Sequence, residues 1–94
     1  MIKHIVMWKF KENTEKEMNE FLEGLKALKG VIPEIKDLEV GVSINEKNTY
    51  DAVLISVFDS LEDLEKYKVD PRHVRVSNLC KEIRTDRGAI DIEI

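Results

Sequence analysis
Between Asp51 and Asp59 the chain reads Ala-Val-Leu-Ile-Ser-Val-Phe, with no charge and no alternation of apolar and polar residues. A strand here places apolar groups on both faces of its sheet, so both faces must be covered. The opening segment, Ile2 to Lys11, predicts another strand. Ile2, His4, Val6, Trp8 and Phe10 share one face, and Lys3, Ile5, Met7, Lys9 and Lys11 share the other. Thr14 with Glu17 has the spacing of a capping box, and Met18, Phe21, Leu22, Leu25 and Leu28 follow at helical intervals. That helix should stop near Lys29, because Gly30 readily takes the left-handed conformation and Pro33 cannot continue a helix.

A second strand is expected from Ile35 to Ile44, with Leu38, Val40, Val42 and Ile44 inward and Glu39, Gly41 and Ser43 opposite. Polar residues from Asn45 to Thr49 predict a turn into a third strand, Tyr50 to Phe58. Asp59 or Ser60 then caps a short helix carrying Leu61, Leu64 and Tyr67. Asp70 as N-cap and Pro71 as first helical residue start a third helix, running to about Arg84 with Val76, Leu79, Cys80 and Ile83 buried. Three residues before Val76, His73 falls on or beside that buried stripe. A last strand, Gly88 to Ile94, sets Ile90, Ile92 and Ile94 against Ala89, Asp91 and Glu93.

The order β-α-β-β-α-α-β predicts one α+β domain over residues 1–94, a ferredoxin-like sandwich with an antiparallel sheet and its helices on one face. Three short helices cover one face of such a sheet, leaving the other for a second copy of the chain or a ligand. At 94 residues a lone domain buries a modest share of its surface, which association would improve.

Composition narrows the function classes. The chain is 43% hydrophobic and 36% charged, as in soluble globular proteins. Its net charge is −4, with basic and acidic residues interleaved, so no basic stripe is available for nucleic acid. No apolar run reaches the ~20 residues of a membrane span, and the first one stops at Lys9, too early for a secretory core; a cytoplasmic protein is expected. Cys80 is the sole cysteine, which rules out an intrachain disulfide and reads as a packed thiol. Gly24, Gly30, Gly41 and Gly88 are isolated from one another, so no phosphate loop forms and no nucleotide cofactor is expected. Histidine and carboxylate spacing on the helices gives no metal site.

The ordered set of Met1-Ile2-Lys3-His4-Ile5-Val6, Lys9-Phe10-Lys11, Ile32-Pro33, Tyr50-Asp51, Phe58 to Leu64, Tyr67, Pro71-Arg72-His73 and Asp91 resembles the stress-responsive α/β-barrel (Dabb) family over essentially the whole chain. The resemblance implies a homodimer in which two sheets pack face to face into a barrel with helices outside. Plant relatives include a cofactor-free polyketide cyclase performing an intramolecular aldol condensation. There the second histidine of a His-Pro-x-His motif is the base and a tyrosine upstream assists; by position these match His73 and Tyr67. The chain has Asp70 in place of the motif's first histidine, and Ala52 where that cyclase has an imidazole.

Each candidate residue carries a functional and a structural reading. His73, bordering an apolar environment, is a candidate general base, or else a packed imidazole bonded to a backbone carbonyl or to Asp91. Tyr67 either orients a substrate carbonyl or packs. His4, Val6 and Trp8 share a face and are candidates to line the same pocket. Asp91 either orients an imidazole or sits on a polar outer face. Two functional classes follow: a homodimeric domain binding a small apolar molecule, and a cofactor-independent cyclase or lyase using His73 and Tyr67. Cofactor-free monooxygenases share the dimeric fold, but fold alone does not convey activity. A cavity of about 300 Å³ or more reaching both His73 and Tyr67 is expected for ligand binding, and a filled interior for a structural role.

Overall fold
The computed structural model describes residues 1–94. Its elements are β1 (Ile2–Phe10), α1 (Glu15–Lys26), β2 (Asp37–Val42), β3 (Ala52–Phe58), α2 (Leu61–Val69), α3 (Pro71–Lys81) and β4 (Arg84–Glu93). They form a ferredoxin-like α+β fold with one four-stranded sheet in the order β2-β3-β1-β4, and every neighbouring pair is antiparallel. All three helices lie on one face of the sheet. The central strands show why: His4, Val6, Trp8 and Phe10 of β1 and Ala52, Leu54, Ser56 and Phe58 of β3 are buried, while the residues between them are not.

The core lies between that face and the helices. Phe21, Leu22 and Leu25 of α1, with Leu64 and Tyr67 of α2 and Cys80 of α3, close over the strands. Trp8 meets Phe21 edge to face at a centroid distance of 5.0 Å, a favourable aromatic geometry. At Gly24 an added Cβ would lie 3.0 Å from Val76, so glycine there lets α1 and α3 approach closely.

Several boundaries differ from the sequence reading. Thr14 makes no capping bond; its hydroxyl donates instead to the Lys11 carbonyl at 2.6 Å, in a turn where Asn13 takes a positive φ of 62°. The first helix ends at Lys26, not Lys29, because its last amides tighten to i→i+3 bonds before Gly30 turns at φ 83°. The second strand spans only Asp37–Val42: pairing with β3 ends at Val42 opposite Ala52, leaving Val42 half-exposed and Ile44 wholly exposed rather than inward. The third strand starts at Ala52, not Tyr50. Arg84 belongs to β4, opposite Phe10, so the last strand begins four residues earlier than alternation alone indicates. Leu61 and Leu79 lie outside the core. The caps at Ser60 and Asp70 are present, accepting from the amides of Asp63 and Arg72.

The opposite face carries no helix. Ile5 pairs with both Ile55 and Ile90, and Met7 lies opposite Val53, so the uncovered side of the sheet is apolar across its centre. Ile90 and Ile92 are 56% and 39% exposed there. Gly88 admits the Tyr50 phenol across this face, since an added Cβ would stand 3.3 Å from its oxygen. Beside it, Met7, Gly41, Ile44, Tyr50 and Val53 border a groove of about 550 Å³.

Candidate functional site
Between sheet and helices lies a cavity of about 90 Å³, reached by His4, Val6 and Trp8 of β1, Tyr67 and Lys68 of α2, His73, Ser77 and Cys80 of α3, and Arg84 and Arg87 of β4. The fold assembles it by periodicity. Alternation brings His4, Val6 and Trp8 to the inner face of β1, and the Asp70-Pro71 junction starts α3 so that His73 falls in its first turn. The cavity reaches both His73 and Tyr67 but falls short of the ~300 Å³ expected for ligand binding, and the interior is not filled either. It equals the liquid share of about three water molecules.

Tyr67 and His73 stand together here, ring centroids 4.2 Å apart. The phenol is fully buried and its oxygen has no hydrogen-bond partner in the protein. Burial also pushes the Tyr67 ionisation well above its ordinary value, against the opposing pull of Arg87, so the group is a neutral donor without an acceptor. Such a donor costs about 1–3 kcal/mol relative to a satisfied one.

His73 Nδ1 lies 3.1 Å from the Lys68 carbonyl. A carbonyl only accepts, so Nδ1 carries the proton and Nε2 keeps its lone pair. Burial lowers the His73 pKa below the usual imidazole value, outweighing the stabilising Lys68 bond, with the nearby His4 lowering it further. The imidazole is therefore neutral and proton-accepting near pH 7.

His4 Nδ1 is 2.5 Å from the Asp91 carboxylate. Burial again dominates, keeping His4 below the ordinary imidazole pKa despite the opposing hydrogen bond and charge of Asp91. Asp91 thus orients an imidazole, but that of His4 and not of His73. Since Asp91 lies opposite His4 in register, it faces the helices rather than a polar outer surface. It stands behind His4 and does not itself line the cavity.

Asp70 has a structural task. Its carboxylate accepts from the Arg72 amide, Nε and Nη2 at 2.8–2.9 Å, which pulls its pKa down to about 2, and Arg72 also donates to the Val31 carbonyl at 3.0 Å. Cys80 is buried and its thiol pKa is raised by that burial, in keeping with a packed thiol. No three His, Cys, Asp or Glu side chains converge as a metal-binding group, and no helix is long and apolar enough to cross a membrane.

Lys68, Ser77, Arg84 and Arg87 were not among the sequence candidates. Ser77 is readable in retrospect, one turn after His73 on the same helix. Arg87 required the pairing register, which sets it opposite Trp8.

Known proteins are similar to this chain in sequence and in fold. The chain is 32% identical over 77 residues to olivetolic acid cyclase of Cannabis sativa, covering 78% of this chain and 76% of the relative. A dimeric protein of unknown function and ferredoxin-like fold from Bacteroides fragilis superposes with a TM-score of 0.93 at 33% identity, covering 99% of this chain and 95% of the other. Hydroxynitrile lyase from Passiflora edulis shares the fold, with a TM-score of 0.86 at 16% identity and coverage of 99% and 92%. The family model for the stress responsive A/B barrel domain matches residues 2–94, and the chain accordingly belongs to the Dabb family.

Proposed function
We propose that the protein is a homodimer, formed through the uncovered sheet faces, whose protomers each bind a compact carbonyl compound and move a proton on it without a cofactor. The observation that carries the binding reading is the buried Tyr67 phenol, a neutral donor with no acceptor in the protein. A ligand carbonyl oxygen beside it receives that hydrogen bond. His73, neutral with Nδ1 committed to Lys68, supplies an accepting Nε2 for a proton on the adjacent carbon. His4, oriented by Asp91, is a second neutral imidazole at the same cavity. A relative named as a cyclase and a structural neighbour named as a lyase support chemistry of this class. The cavity volume favours a compact ligand over a long polyketide chain.

The dimer is supported by the apolar outer face of β1, β3 and β4 and by the description of the Bacteroides fragilis neighbour as dimeric. Packing two such faces together removes Ile5, Met7, Val53, Ile55, Ile90 and Ile92 from water, at about 25 cal/mol per Å² of apolar surface.

Tyr67→Phe tests the site with two readouts. Removing an unpaired buried hydroxyl should raise unfolding stability by about 1 kcal/mol in chemical denaturation, while binding of butan-2-one, followed by ligand-observed NMR, should weaken roughly fivefold through the lost hydrogen bond. A variant that loses stability and binds the ketone as the wild type does would show that the hydroxyl serves packing alone.

A further inference from the structure
The cavity is polar at one end in a way the acid-base pair does not use. Arg87 is brought to the helix side of the sheet opposite Trp8 and lines the cavity together with Arg84 and Lys68. Lys68 is paired with Glu65 at 3.3 Å, whereas the guanidinium of Arg87 has no carboxylate partner; its only bond to Asp86 runs through the backbone amide. Of the acidic groups beside the histidines, Asp91 is engaged by His4 and Asp70 by Arg72. Arg87 is close enough to act electrostatically on His4, Tyr67, His73 and Cys80 at once. A guanidinium held at the edge of a low-dielectric pocket, with its charge uncompensated, is suited to a planar or tetrahedral oxyanion.

We infer that Arg87 forms an anion subsite at the mouth of the cavity, so that the ligand carries a compact anionic head group, carboxylate or phosphate, beside the carbonyl held by Tyr67. This rests on the carbonyl-binding reading above and adds the ligand's charge to it. The small volume places the carbonyl portion inside and the charged portion at the rim, where Arg87 is accessible to solvent. Arg84 adds positive potential from the same strand.

Calorimetric titration at low ionic strength tests the subsite with 4-oxopentanoate and its neutral counterpart 4-oxopentanamide. The wild type should bind the acid about tenfold or more tighter than the amide. Arg87→Gln should bring the two affinities together, and Arg87→Lys should restore part of the difference. Inorganic phosphate as competitor separates the two sources: displacement of the acid at equal concentration identifies a phosphate-type head group, and failure to displace it identifies a carboxylate. Equal binding of acid and amide by the wild type would overturn the inference. If Tyr67→Phe still weakens both probes in that case, the anion subsite alone falls; if it changes neither, the carbonyl reading falls with it.

Discussion

Ile55→Asp should convert the protein from dimer to monomer across the micromolar range, with sedimentation equilibrium reading the mass. Ile55 sits at the middle of the central strand β3, opposite Ile5 on one side and Glu39 on the other, and its side chain points to the face that no helix covers. In a face-to-face dimer the substituted carboxylate of each protomer is buried in the interface, so each dimer carries two unpaired like charges. Even a cost of about 4 kcal/mol weakens association roughly a thousandfold. Because Ile55 lies outside the inner core, the first casualty is the dimer; a lower melting temperature follows, since a small domain loses the stabilisation of its partner. Val69→Asp, on an exposed end of α2, should leave the mass unchanged. A variant at Ile55 that keeps the dimer mass would contradict sheet-face association.

His73→Gln should lower the rate of deuterium incorporation beside the carbonyl of 4-oxopentanoate in D2O by about a hundredfold or more, the usual worth of a positioned general base. Glutamine retains a donor for the Lys68 carbonyl but has no basic nitrogen. The wild-type rate should rise with pH and level off by neutrality, because burial keeps the His73 pKa below its ordinary 6.5 and only the neutral ring accepts a proton. His4, Lys68, Asp70 and Arg87 face or surround the imidazole. His4 is a second imidazole whose pKa burial lowers, so His4→Gln identifies which histidine sets the acid limb. Folding follows the same sign. Both histidines bind protons more weakly when folded than unfolded, so native stability is full above the unfolded value and declines as pH falls through and below it. The acid limb therefore counts only where circular dichroism remains native. An unchanged exchange rate in His73→Gln would remove that residue from the chemistry.

What the sequence made legible followed periodicity. The alternation of His4, Val6, Trp8 and Phe10, the helical spacing of Phe21, Leu22 and Leu25, and the Asp70-Pro71 start of the third helix each appear in the fold as expected. The charge-free third strand correctly indicated a sheet with two apolar faces. Where tertiary context decides, the chain alone misleads. Thr14 and Glu17 have capping spacing, but the left-handed turn at Asn13 sends the threonine hydroxyl elsewhere. Ile44 continues an inward alternation past the point where its partner strand ends. Leu79 has helical spacing with Cys80 yet faces outward.

The candidate site divides in the same way. Tyr67 and His73 are neighbours in sequence, separated by one helix junction, so their approach was readable from local structure. Asp91 pairs with His4 across a separation of 87 residues, and which histidine it meets depends on strand register. Arg87 joins the cavity for that same reason. Register follows from the whole set of strand pairings, and no local pattern around Gly88 encodes it.

The ring environment of Tyr67 gives the most direct test of a carbonyl held inside the fold. The chain has two tyrosines, Tyr50 on the outer face and Tyr67 in the cavity, so 13Cζ-labelled protein gives two signals that Tyr67→Phe assigns. Titration with butan-2-one should shift the Tyr67 signal saturably and leave Tyr50 in place. A Tyr67 signal that stays fixed, or two signals that drift together without saturation, would contradict the account.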